Sequence, residues 1–222
     1  IDTGGPTFNF SGQLSGISDQ TAISGTFEFT EMPFDDLKNY WPDTLMTNAR
    51  SWILGNVFDG VLSNFTVDFD IKPGEIDLVQ SGARPNAIDV DFSFRDATVN
   101  YFPEQPYAFG VDGEGHVDGA SLSMNMRDGT IENMYAPSGV ALITDLMLDS
   151  AMLTIIANVE GPADNAISLL DGPRFGYPSK MGLKGEQFSG HVIAEMGVQL
   201  PFRSDVTFEE VQFAAVARLD DL

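Results

Sequence analysis

His116 and His191 are the two side chains of this sequence whose ordinary pKa lies near neutrality. They stand far apart along the chain, neither beside a second ligand, and each reads as an ordinary strand or turn residue rather than a general base or metal ligand. No Gly-x-Ser-x-Gly elbow, His-Glu-x-x-His pair or Walker loop occurs. The stretch Gly113-Glu114-Gly115-His116-Val117-Asp118-Gly119 imitates a phosphate loop, but its last spacing is wrong and it offers two acids where a phosphate needs donors. With no Cys there is no thiolate nucleophile, disulfide, zinc–thiolate site or iron–sulfur cluster. Acidic runs suggest calcium, a hard cation that takes several carboxylate oxygens. In Asp68-Phe69-Asp70-Ile71-Lys72-Pro73-Gly74, however, the Gly comes one position late, Lys72 takes a ligand position, and Val79 stands where a Glu is needed. Asp112, Glu114 and Asp118 form a looser group, and both sets read as solvated acids on the wet face of a sheet. Carboxylates are too numerous for any one pair to signal glycoside hydrolysis. The chain is read as non-enzymatic, with no cofactor.

The 222 residues include 33 Asp and Glu against 11 Lys and Arg, a net charge of −22. That excludes nucleic acid as a partner, because affinity for phosphates comes from basic side chains. It also argues against a basic face on anionic lipid head groups, while leaving open lipid held in an apolar interior. Hydrophobic residues make up 43% and include 17 Phe, enough for a sizeable core. No apolar run is long enough for a membrane-spanning helix. The opening Ile1-Asp2-Thr3-Gly4-Gly5 has neither Met nor leader and reads as part of a longer protein.

Period-2 alternation organises the chain. In Phe65-Thr66-Val67-Asp68-Phe69-Asp70-Ile71 four apolar side chains share one face, and Ile88–Arg95 and Leu122–Arg127 repeat the pattern. These predict half-buried antiparallel strands. Further strands are predicted at about Phe8–Leu14, Ala22–Phe29, Thr130–Tyr135, Val140–Leu148, Met152–Val159, His191–Leu200 and Val206–Leu219, some ten in all. Asp59-Gly60, Asp118-Gly119 and Asp128-Gly129 stand at hairpin spacing between them, as in a meander. Two segments switch to helical spacing. Phe34, Leu37, Tyr40 and Trp41, then Leu45, Ala49, Trp52 and Ile53, predict short helices over 34–40 and 44–54, with Asp43 capping the second and Gly55 ending it. Trp41, Trp52, Phe34 and Leu45 are expected to pack this pair against the sheet. A third helix is predicted over 162–170, opened by Pro162 and closed by Gly172-Pro173.

So few helices cannot cover so many apolar strand faces. A sheet folded over as a β-sandwich solves that, and alternation alone favours it; a single curved sheet leaves a trough, which Met124, Met126, Met147, Met152 and Met196 would line adaptably.

Several stretches in order tip this balance. Leu37-Lys38-Asn39-Tyr40-Trp41-Pro42, Asn48-Ala49-Arg50-Ser51-Trp52-Ile53 and Asn56-Val57-Phe58-Asp59-Gly60 resemble the Tyr-Trp-Pro, Ala-Arg-x-Trp and Asn-(aliphatic)-x-x-Gly succession of AsmA-like proteins, the bacterial family that includes YhdP and TamB. Phe92–Ala97, Tyr135–Gly139, Gly161–Asp171, Gly182-Leu183 and Phe188-Ser189-Gly190 are similar to that family's repeated sheet region, so that the resemblance spans about residues 30–220. It implies a central or C-terminal segment of a periplasmic protein of the Gram-negative envelope, anchored in the inner membrane outside this segment. Its fold would be mainly β: an elongated, curved antiparallel sheet with a few short helices. Residues 30–60 would carry a helical insert, 61–160 a meander, and 161–222 a short helix and further strands. The implied activity is conduction of phospholipid between the membranes, with acyl chains as partner and further envelope proteins as possible contacts. On alternation and resemblance together, the groove lining is expected to be Phe65, Val67, Phe69, Ile88, Val90, Phe92, Phe94, Leu122, Met124, Met126, Val192, Ala194, Met196 and Val198. Asp68, Asp70, Asp89, Asp91, Ser123 and Asn125 should face water. The alternative is a sealed β-sandwich for binding or adhesion, in one version calcium-dependent.

Overall fold

The computed structural model describes residues 6–43, 46–80, 84–102, 105–146, 148–172, 176–203 and 206–220. Its strands are β1 (Phe8–Ser15), β2 (Ala22–Pro33), β3 (Val57–Phe58), β4 (Val61–Ile71), β5 (Ile88–Val99), β6 (Ala108–Asp118), β7 (Ser121–Arg127), β8 (Gly129–Ile131), β9 (Met134–Thr144), β10 (Met152–Pro162), β11 (His191–Pro201) and β12 (Gln212–Asp220). All belong to one antiparallel sheet in the order β1-β2-β4-β5-β6-β7-β9-β10-β11-β12, with β3 on β5 and β8 on β6 and β9. Chain neighbours are thus sheet neighbours, as the meander spacing predicts. The sandwich that alternation alone favoured does not form: the strands make one sheet rather than two, and helical segments cover its apolar face. Alternation is identical in the two architectures, so the preference for the sandwich had no basis in the pattern itself.

β6 is the strand that the sequence hides. Gly110, Gly113 and Gly115 weaken its strand signal, yet the last two exist for the neighbouring strand. Phe94 is paired with Gly113 and Phe92 with Gly115. A Cβ at Gly115 would stand 2.3 Å from Phe92 Cζ, and one at Gly113 2.5 Å from Phe94 Cζ. Two rings lie down on the sheet because those positions carry no side chain.

Of the three expected hairpin turns, only Asp118-Gly119 joins paired strands, β6 and β7. The strands on either side of Asp59-Gly60, β3 and β4, both pair with β5; those beside Asp128-Gly129, β7 and β8, both pair with β6 and β9. These are two-residue breaks within a strand whose register is the same on both sides, Phe58 opposite Thr98 and Val61 opposite Arg95, Arg127 opposite Asp112 and Thr130 opposite Phe109. Asp59, Asp96 and Asp128 all take left-handed φ, between 53° and 63°. The Asp96 amide donates to Asp112 Oδ1 at 2.8 Å, so a carboxylate takes up a backbone donor where the ladder is interrupted, and Thr98 Oγ1 donates to Asp59 Oδ2 at 3.1 Å between side chains. Around Asp96, register resumes from Phe94 opposite Gly113 to Ala97 opposite Val111. Spacing three replaces spacing two, and the apolar face stays continuous across the crease.

The expected 34–40 helix is a 3-10 turn over Phe34–Asn39, and the second helix, α1, spans Thr47–Asn56. Asp43 does not cap α1. The N-cap is Met46, in the left-handed region and without a side-chain cap, and Asp43 pairs instead with Arg50 at 2.6 Å. Arg50 Nε also donates to the Trp41 carbonyl at 3.0 Å, which ties α1 to the preceding turn. Gly55 lies inside α1, which runs straight into β3. Two short helices went unforeseen, α2 (Ile76–Gln80) and α4 (Tyr177–Lys180); between them α3 (Ala163–Leu170) lies where Pro162 predicted it. Val206–Leu219 is no single strand: a 3-10 turn at Phe208–Glu210 precedes β12. Leu45 and Met147 lie outside the described residues. No helix among the described residues is long and apolar enough to cross a membrane.

Candidate functional site

Cross-strand partners point to the same side of a sheet, so register decides which alternating faces join. One row runs Phe10, Phe27, Val67, Val90, Val117, Leu122, Ile143, Leu153, Leu200 across β1 to β11. The next carries Phe92, Gly115, Met124, Ala141, Ile155, Val198 and Phe213. By these registers all fourteen residues expected to line a groove fall on one face. Val67, Ile88, Val90, Phe94, Leu122, Val192 and Ala194 are buried, and the other seven are half-buried.

Two cavities open on this face. The first, about 530 Å³, is walled by Phe8, Phe10, Phe27, Phe29, Phe65 and Phe69, with Tyr40 and Trp41 closing it from the helical segment. Its aromatics touch: Phe29 stacks on Phe65 at 4.5 Å between ring centroids, and Phe8 lies 5.6 Å from Phe27 and 5.0 Å from Tyr40. The second, about 190 Å³, is lined by Met124, Met126, Met196, Ile155 and Val198 beneath Trp52 and Phe202, whose rings lie 5.3 Å apart. It is bordered by residues from β5 through β11, so the sheet curves round it and the apolar face is the concave one.

Val192 and Ala194 border neither cavity. They share a buried cluster with Met134 and Val159, packed against Ala166 and Leu169 of α3, and of the four only Val159 reaches the second cavity. Met152 belongs to the opposite face, one position out of phase with Leu153 in the concave row. Sequence reasoning missed Phe8, Phe10, Phe27 and Phe29, although Phe8-Asn9-Phe10 and Phe27-Glu28-Phe29 carry the same alternation as the strands it did use. Trp41 and Trp52 cover the face as expected of the helical segment, together with buried Phe34.

Almost no charge reaches this space. Among the described lining residues Arg127 is the single charged side chain, and the first cavity has none. Burial, reinforced by the Glu132 carboxylate, pushes the Tyr101 phenol at the second cavity up to about 12, so it stays neutral. The carboxylates lie on the other side. Asp68 accepts a hydrogen bond from Thr26 and shares the outer row with Asp89 and Asp118. Asp68 and Asp70 are on an extended strand, which cannot wrap an ion as a calcium loop does. His116 Nδ1 lies 2.8 Å from Asp91 Oδ1 and 3.9 Å from Asp89 Oδ1, the tightest grouping of metal-ligand type among the described residues. These side chains are 42–66% exposed. The Asp91 hydrogen bond holds the imidazole pKa above its ordinary value, helped by the charges of Asp89, Asp91 and Asp118.

A family model described as "YhdP protein" matches residues 7–213. No curated protein and no solved structure matches the chain.

Proposed function

The chain belongs to the YhdP family, and from that premise we propose that its concave face is a non-enzymatic conduit for phospholipid acyl chains in the bacterial envelope. The observation that carries this reading is a curved sheet whose apolar face encloses two nearly uncharged cavities while its carboxylates face outward. Taking acyl chains from water is worth about 0.8 kcal/mol per CH₂, so a lipid leaves a bilayer only for a long apolar surface. Nine spacings of about 4.8 Å between the ten strands of the main path give a contour of roughly 43 Å, against roughly 15 Å for the acyl layer of one leaflet. A lining almost without charge sets no electrostatic barrier to hydrocarbon along its length. Movement along it then needs no chemistry, and head groups stay in water at the open side.

The resemblance to AsmA-like proteins adds a periplasmic setting and an inner-membrane anchor elsewhere in the parent protein. Native mass spectrometry of the purified chain tests binding: co-purified phospholipid is expected, and protein free of lipid after purification from intact cells counts against it. Photocrosslinkers placed one residue apart test the face. Lipid adducts are expected at Phe92 and Met124 and not at Asp91 or Ser123, and equal labelling of both sides would end the proposal.

A further inference from the structure

The two cavities meet at four side chains, since Phe34, Ile53, Phe92 and Leu122 line both. Phe92 of β5 and Leu122 of β7 form the floor; Phe34 of the 3-10 turn and Ile53 of α1 form the roof. Phe92 owes its position to Gly115. The three atoms nearest a Cβ at that site are all carbons of the Phe92 ring, Cζ at 2.3 Å, Cε2 at 2.7 Å and Cε1 at 2.8 Å, so any side chain there would lift the ring from the sheet toward the roof. Phe94 has a similar seat on Gly113 but is buried, whereas Phe92 keeps part of its surface toward both cavities.

The chambers on either side are unequal. The first falls within the ~300–1,000 Å³ range of sites that hold small molecules and has stiff aromatic walls; the second is smaller, and its methionines can change rotamer to make room. We propose that the conduit has two stations separated by a neck: the aromatic chamber holds an acyl chain at rest, and Phe92, lying on Gly115, sets its passage into the methionine-lined chamber. This rests on the acyl-binding reading above.

The two tryptophans of the chain separate the stations, because Trp41 borders the first cavity and Trp52 the second. In the 222-residue chain, Trp52→Phe leaves Trp41 as reporter and Trp41→Phe leaves Trp52. Titration with dibromostearic acid, whose bromines quench indole fluorescence on contact, should quench Trp41 at lower concentration than Trp52. Gly115→Ala should raise the concentration that quenches Trp52 by about tenfold and leave Trp41 unchanged, and Phe92→Ala should bring the two tryptophans together. If Gly115→Ala fails to fold by circular dichroism, Ile53→Phe narrows the neck from the roof and should act alike. A benzophenone at Met196 reads the second chamber without either tryptophan substitution, and its adduct yield should follow Trp52. Equal quenching of both tryptophans that no neck variant alters overturns the neck and leaves acyl binding standing. Quenching of neither overturns acyl binding and the neck together.

Discussion

The two ends of the concave face carry the same alternation and the same register yet end in different states. Beneath α3, Met134, Val192 and Ala194 are buried and border neither cavity; beneath α1, Phe65, Phe69 and Phe92 remain half-open to cavities. The difference lies in how closely the cover approaches. At the α3 end small side chains permit contact: Ala163 is 1% exposed, and Ala166 packs on Met134, Val192 and Ala194. Helix α1 buries Ala49 but otherwise meets the face through large side chains, Trp52 and Ile53, and the cavities lie beside them. An alternating strand therefore encodes which side is apolar, and what packs on that side decides whether it becomes closed core or cavity wall.

The largest expected effect is electrostatic. Met124→Glu should abolish quenching of Trp52 by dibromostearic acid, because an unpaired ion in an apolar channel costs several kcal/mol, while Asp91→Asn on the outer face leaves acyl binding unchanged. Acyl binding retained in the first variant would break the distinction between faces.

Next come paired truncations at the two ends. Met134 is 3% exposed, so Met134→Ala should cost about 2–5 kcal/mol in urea unfolding with little change in acyl affinity. Phe69→Ala should cost less stability and more affinity, since one side of that ring faces a cavity. Identical behaviour of the pair would mean that both ends are core. Trp52→Ala should follow at about 2–3 kcal/mol, below the ~3–5 kcal/mol of a fully buried aromatic because Trp52 is half-exposed, and unchanged stability would show that α1 is not held by its contact with Phe202.

How much of this was legible depended on whether the signal was local. Alternation in Phe65–Ile71, Ile88–Arg95 and Leu122–Arg127 marked the apolar sides, and turn signals between successive apolar runs suggested the meander, although only Asp118-Gly119 proved to be a hairpin turn. Strand β6 was not readable alone, because Gly113 and Gly115 make sense only once Phe94 and Phe92 are known to lie on them. The strand breaks at Asp59 and Asp128 looked like hairpin turns because Asp-Gly is also the signature of a two-residue hairpin; only the shared partner strand separates the cases. Asp43 had a cap's composition, but its carboxylate is taken by Arg50. Alternation marked Phe92, Met124 and Met196, which border the cavities. The exclusion of Val192 and Ala194 required knowing where α3 docks, a contact that neither β11 nor α3 specifies by itself.

The smallest effect belongs to the outer face and has a definite sign. His116 has a folded-state pKa raised by its hydrogen bond to Asp91, with Asp89 and Asp118 adding negative charge around it. A raised pKa means that the folded protein binds this proton more tightly than the unfolded chain does, so the stabilisation is full below the unfolded value near 6.5 and is lost as pH rises through the folded pKa. The ring is 42% exposed, and solvent screening keeps the contribution within the ~0–1 kcal/mol of surface ion pairs. His116→Gln should therefore lower stability at pH 5.5 and make no difference at pH 9, with the gap shrinking in high salt. Its acyl binding should match the parent at both pH values, because the imidazole lies across the sheet from the conduit. A change in acyl affinity that tracks this titration would show that the two faces are coupled through β6 rather than separated by it.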